Sequence, residues 1–177
     1  FLAIAAFLGL DLSHDPRIRT SDDPQCRLQG CRGDFQPDQG ASRRALARSI
    51  CDIVQNTDRF LVAEVNGEVV GTVAWSILPE IGRSLHPTVE IKSVAVRGDL
   101  QGRGLGRKLV EAAIERVRLL KPAQIIVLTF TPDFFRKLGF REVPKETLMH
   151  KLYMGCLNCS KYDSPFTCPE VAMALAL

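Results

Sequence analysis

The segment VEIKSVAVRGDLQGRGLGRKLVEAAIERV, Val89 to Val117, limits what the chain can fold into more than any other stretch of its 177 residues. A strand-like run of alternating, β-branched residues breaks at Arg97. Three glycines follow within five positions, Gly102, Gly104 and Gly106, and then an apolar stripe of Leu105, Leu109, Ala113, Ile114 and Val117 begins. The first part predicts a strand over Thr88–Val96. The last predicts a helix with one buried face, running to about Leu120 and stopped by Pro122. Glycines between a strand and a helix let main-chain N–H groups come close to a ligand, and the helix start adds unpaired donors and its positive end. The segment therefore predicts an anion site, although a plain glycine-rich turn capping a helix would share its sequence.

Charge supports the anion. The whole chain carries only +3, yet Arg97, Arg103, Arg107, Lys108, Arg116, Arg118 and Lys121 stand against Asp99, Glu111 and Glu115 in the same segment. Aromatic stacking residues and an extended basic stripe are missing around the loop, which points to a small anion and not to nucleic acid. No apolar run reaches the roughly 20 residues needed to cross a bilayer, so no membrane span is expected. The opening FLAIAAFLGL is expected to be a packed helix or strand, since it lacks the basic flank and cleavage site of an export signal. The length suits one domain.

The loop chemistry narrows further. A phosphate loop of the Walker type needs Gly-Lys followed by Ser or Thr, whereas Arg107-Lys108 is followed by Leu109. A dinucleotide fingerprint needs glycines at first, third and sixth positions and a carboxylate closing the next strand; the next strand here ends Leu128, Thr129, Phe130. A third pattern, Gln/Arg-x-x-Gly-x-Gly/Ala, is met by Gln101, Gly104 and Gly106, and Arg103 and Arg107 can reach the same phosphates with charge-assisted bonds.

Elsewhere the pattern predicts a short strand at Arg17–Thr20, a loop over Ser21–Gln39, a surface helix over Ser42–Gln55, and a hairpin of FLVAEV and EVVGTVAWSIL around Asn66-Gly67, a type I′ signal. QIIVLTF reads as a strand covered on both faces, parallel to the strand before the loop. A short helix over Asp133–Leu138, capped by Gly139, and a strand at Phe140–Val143 complete an α+β domain on one mixed sheet.

The strand, the QGRGLG loop, its helix, the apolar strand and FFRKLGF together resemble the GNAT superfamily of acyl-CoA-dependent N-acyltransferases, over about Arg17 to Val143. The resemblance implies a mixed sheet with splayed parallel strands and acetyl-CoA as acetyl donor. Gln101, Gly102, Arg103, Gly104, Leu105, Gly106 and Arg107 would hold the pyrophosphate. Val94, Ala95 and Val96 would bind the pantetheine arm and polarise the thioester carbonyl through the main chain. Phe134 and Phe135 would pack against the cofactor or the core.

Acetyl transfer needs a neutral amine, a donor for the developing oxyanion and a proton for the thiolate. Glu90 is the candidate base; its alternative is a surface ion pair with Lys92, two residues away on the same face. Where the superfamily often has Tyr, this chain has Phe135, which leaves the acid open among Asp133, Thr131 and water.

The tail, from KLGF through Cys156-x-x-Cys159 to Cys168, and the EIKSVAV strand resemble short stand-alone bacterial N-acetylglutamate synthases. That resemblance implies an amino-acid acceptor, glutamate favoured, with Lys92 binding its α-carboxylate. It implies a place in arginine biosynthesis and the cytoplasm. Arg83, His86, Arg136, His150 and Lys151 are candidates for a second cation. The expected parts are an apolar extension over 1–16, the acetyltransferase domain over 17–153 and a cysteine-containing extension over 154–177. Cys156, Cys159 and Cys168 with His150 could bind zinc, or could pack as thiols or form a disulfide. Another small amine, a protein N-terminus, or a non-catalytic acyl-CoA or metal-binding module are the competing readings, and a homodimer stays open beside a monomer.

Overall fold

A computed structural model describes residues 18–20, 55–78, 86–157, 159 and 162–177. The expected helix over Ser42–Gln55, the loop over Ser21–Gln39, the apolar extension over 1–16 and Arg83 lie outside the described residues, Gln55 excepted. Among the described residues, seven strands hydrogen-bond in the order β1-β2-β3-β4-β5-β7-β6. They are β1 (Ile18–Thr20), β2 (Phe60–Val65), β3 (Glu68–Leu78), β4 (Thr88–Val96), β5 (Gln124–Thr129), β6 (Arg141–Glu142) and β7 (Val171–Ala176). Helix α1 (Leu105–Arg118) joins β4 to β5, α2 (Pro132–Arg136) leads towards β6, and α3 (Met149–Lys151) runs on into a π-turn over Leu152–Cys156.

By backbone contacts the chain forms two compact units, each described by itself: Phe1–Thr72 with Ala95–Leu109, and Val73–Val94 with Val110–Leu177. In the first, β1 pairs antiparallel with β2, Ile18 opposite Ala63 and Thr20 opposite Leu61. The turn after β2 has Asn66 at φ 53° and Gly67 at φ 83°, the two positive angles a type I′ hairpin needs. Leu61, Ala63, Val70, Leu105 and Leu109 are buried. Gly71 in β3 is what allows the close packing here. A Cβ on it would stand 2.9 Å from Leu109 Cδ1, 3.1 Å from the Ala95 carbonyl oxygen and 3.4 Å from Val96 Cγ2.

In the second unit, β4 and β5 run parallel, as expected of two strands joined through a helix. β5 is buried at Ile125, Ile126 and Val127. The whole of β5 pairs antiparallel with β7, from Gln124↔Ala176 to Thr129↔Val171, and β6 pairs with the other edge of β7. The apolar VAMALA run, which the sequence reading leaves in a C-terminal extension, thus forms an interior strand. Leu78, Ile126, Leu148 and Ala172 form one apolar cluster, with Leu128, Val143 and Ala174 packed on it. Leu78, Ile126 and Leu148, fully buried there, each contribute about 1.5–3 kcal/mol. Helix α2 starts on Pro132 and ends before Gly139, whose φ of 92° supplies the expected left-handed cap.

Candidate active site

Strand β4 carries the site. Its parallel ladder with β5 holds three pairs only, Thr88↔Gln124, Val89↔Ile125 and Glu90↔Ile126. Beyond Glu90 the strand continues to Val96 without further pairing to β5, although β5 itself runs on to Thr129. Within this parted stretch Ser93 has φ 55°, a left-handed angle unusual for a non-glycine residue and the mark of a bulged, re-aimed strand. A local sequence pattern does not announce it, because serine has no special preference for that conformation.

At the last paired position, Glu90 is buried. Its Oε1 meets Lys151 Nζ at 2.7 Å, and the two side chains are 7% and 19% exposed. Ser76 Oγ donates to Glu90 Oε2 at 3.4 Å, a long bond. The alternative of a surface pair between Glu90 and Lys92 is therefore corrected: Glu90 is not on the surface, and the cation that meets it comes from α3. Lys92 is half-buried one turn of the pleat further along. Gly155, four residues after Lys151 on the π-turn, gives the lysine room. A Cβ there would lie 3.0 Å from Nζ.

Other candidate cations are used elsewhere. His86 Nδ1 is 3.1 Å from the Lys121 carbonyl oxygen, beside a hollow of about 630 Å³ at the starting ends of β4 and β5, the wrong end of the ladder for Glu90. Arg136 bonds Asp133, and Glu142 at 2.6 Å. The guanidinium also occupies the carboxylate of Asp133, one of the candidate acids. Thr131 is exposed; its N–H donates to Thr129 Oγ1 at 3.0 Å and the two hydroxyls lie 3.1 Å apart. Phe135 is buried and packs edge-on against Phe140, centroids 5.4 Å apart, so it belongs to the core; Phe134, half-buried and T-shaped to Phe135, keeps an outward face.

In the first unit, the end of β4 passes into the glycine loop. The Arg97 N–H donates to the Val70 carbonyl at 2.8 Å. Its guanidinium binds both oxygens of Asp99, at 2.7 and 3.1 Å, and Glu68 at 2.9 Å. The hydrogen bond from Arg97 holds the Asp99 carboxyl below the usual range. Gln101, exposed, donates from Nε2 to the Val96 carbonyl at 3.0 Å, stapling the loop to the strand. Gly102 and Gly104 have φ of 75° and 80° with open space where a Cβ would be. Their role is the backbone conformation, with an uncovered face. Lys108 N–H donates to the Gly104 carbonyl at 3.1 Å, and Leu105 is buried at the first position of α1, while Arg103 and Arg107 are exposed and Gly106 half-exposed.

Of the three readings open for the cysteines, zinc binding finds no support among the described residues. Among the described residues no three His, Cys, Asp or Glu side chains stand as a metal-binding group, and Cys156, Cys159 and Cys168 are free thiols. Cys168 Sγ lies 3.6 Å from Glu170 Oε2. Burial pushes the Cys156 and Cys168 thiols up, which favours the protonated form. His150 Nδ1 is enclosed with no hydrogen-bond partner among the described residues. Lys145 Nζ anchors the cysteine loop to the Pro165 and Cys168 carbonyls.

Residues 26–140 match the acetyltransferase (GNAT) family. An uncharacterized N-acetyltransferase of Chlorobaculum tepidum is 33% identical over 132 residues, 75% of this chain and 79% of its own length. An amino-acid acetyltransferase of Mycobacterium tuberculosis is 30% identical over 151 residues, 83% of this chain and 78% of its own. Among solved structures, Rv2747 of Mycobacterium tuberculosis in complex with CoA and NLQ has a TM-score of 0.65 at 22% identity, covering 92% of this chain and 99% of that one. N-acetylglutamate synthase of Neisseria gonorrhoeae, complexed with coenzyme A and N-acetyl-glutamate, has a TM-score of 0.64 at 17% identity, over 90% of this chain and 34% of that one. The chain belongs to the GNAT acetyltransferase family and has its α+β fold.

Proposed function

We propose that this GNAT acetyltransferase moves the acetyl group of acetyl-CoA to the α-amine of an amino acid, L-glutamate being the favoured acceptor. The observation that carries the reading is the parting of β4 from β5 immediately after the buried Glu90. It frees a length of strand between a buried carboxylate and a glycine loop. The acceptor is supported by the amino-acid acetyltransferase relative.

In this reading the N–H groups of Gly102 to Gly106 and the start of α1, with Arg103 and Arg107, take the pyrophosphate. Main-chain groups of Val94, Ala95 and Val96 run along the pantetheine arm, and an N–H near Val94 steadies the oxyanion. Phe134 offers its outward face to the cofactor. Glu90 accepts a proton from the substrate ammonium, directly or through water, leaving a neutral amine to attack the thioester carbonyl. The C–S bond breaks as the N–C bond forms, and the thiolate leaves with the second amine proton. Lys92 binds the α-carboxylate.

A thiol-release assay across the amino acids tests the acceptor: release with glutamate above all others is expected, and release only with other amines removes glutamate. Calorimetry with coenzyme A tests the loop, where Gly104→Trp should abolish binding in a folded protein.

A further inference from the structure

The Glu90–Lys151 pair presents a carboxylate and an ammonium side by side, 2.7 Å apart. An α-amino acid presents an ammonium and a carboxylate on one carbon. The two arrangements are complementary: set against each other, the four charges alternate around a ring and sum to zero. We propose that Lys151 is a second receptor for the substrate α-carboxylate, beside Lys92, and that it makes this enzyme select free amino acids over amines whose neighbouring carbonyl is an amide. The proposal rests on the reading of the chain as an amino-acid acetyltransferase.

Three observations support it. An ammonium has three donors, and Glu90 Oε1 takes one. Lys151 also keeps 19% of its side chain exposed where Glu90 keeps 7%, so the open side of the pair is the lysine. And the backbone makes room for the lysine: a Cβ at Gly155 on the π-turn would stand 3.0 Å from Nζ, 3.7 Å from Cε and 3.9 Å from Cδ. Such single-turn π segments recur at functional sites.

The charge balance is consistent with the transfer. Before reaction, Glu90 faces the ammonium and Lys151 faces the carboxylate. When Glu90 takes the proton, the neutral acid and the neutral amine remain, and Lys151 keeps its pairing with the substrate carboxylate. No charge is stranded in the buried site at the moment of attack. A peptide N-terminus offers Lys151 only a carbonyl dipole.

The test compares the amino acid that the wild-type enzyme acetylates best with its own α-amide, and measures affinity for that amino acid by calorimetry on CoA-saturated protein. Wild type should prefer the free acid by about 10- to 100-fold in kcat/KM, the range of one charge-assisted bond. Because Lys151→Met alone would leave Glu90 buried without a partner, the decisive pair is Glu90→Gln and Glu90→Gln/Lys151→Met. The first should lose turnover and sets the reference affinity; relative to it, the second should bind the amino acid about 10- to 100-fold more weakly with acetyl-CoA affinity unchanged. Lys151→Arg should retain the preference for the free acid, and Gly155→Val, which displaces the ammonium, should raise KM for the amino acid alone. Equal affinity in the two Gln variants, or equal use of acid and amide by wild type, overturns Lys151 while amino-acid transfer by the wild type leaves the function standing. Absence of transfer to any amino acid overturns both.

Discussion

Two ion-pair clusters in this protein use the same chemistry in opposite surroundings. The Arg97 cluster is exposed, its guanidinium, Glu68 and Asp99 side chains 40%, 73% and 60% accessible; the Lys151–Glu90 pair is almost enclosed. Water screens the first, so its three bonds orient a loop without adding much stability. The second has lost its water, and each member depends on the other. Shared residue types therefore say little about what a pair does; its exposure decides whether it shapes or sustains the fold.

The contrast can be broken most strongly at Lys151. Lys151→Met should destabilise the protein by about 3–5 kcal/mol in urea unfolding, because Glu90 keeps its burial and loses its counter-charge. Glu90→Gln/Lys151→Met should recover most of that loss; failure to recover would mean the lysine stem, not its charge, carries the effect. Next in size, Gly104→Ala should cost about 1–2 kcal/mol through its positive φ alone, since nothing crowds its Cβ, and should weaken coenzyme A binding in calorimetry.

A pH titration separates the clusters next. Asp99 has a depressed pKa when folded, so its contribution is present above the unfolded carboxylate value of roughly 4 and is lost as pH falls through the folded value. Amide protection in the glycine loop, measured against the intrinsic exchange rate at each pH, should fall in that acid window, and unchanged protection would show that the clamp does not order the loop. Smallest of all, Arg97→Ala should leave the urea midpoint in place while loosening the same amides. A clear midpoint shift would erase the distinction between the two clusters.

The hairpin turn, the glycine loop with its helix, and the left-handed cap were legible because their signals are local, whereas the Arg97 cluster, which draws Glu68 from β3, was not. Asn66-Gly67 encodes its own turn, the α1 stripe encodes its buried face, and Gly139 encodes its cap. The buried pair was not legible: Lys92 lies two residues from Glu90 and Lys151 comes from another element, so proximity along the chain selects the wrong partner. For the same reason β7 was hidden. VAMALAL reads as an apolar tail until β5, with six positions to pair, and β6, with two, are known to need an edge. Gly71 was missed because its neighbours Ala95, Val96 and Leu109 are brought to it by tertiary folding. Cysteine spacing misled in the other direction, suggesting a metal where the described thiols stand free.

The interior position of β7 has a consequence for biosynthesis. As the polypeptide leaves the ribosome, β5 emerges well before Val171–Ala176 and must wait with one backbone edge bare. During that interval the nascent chain offers a ready template for unwanted strand addition. Completion of the sheet is thus timed by translation of a segment that, on paper, looks dispensable.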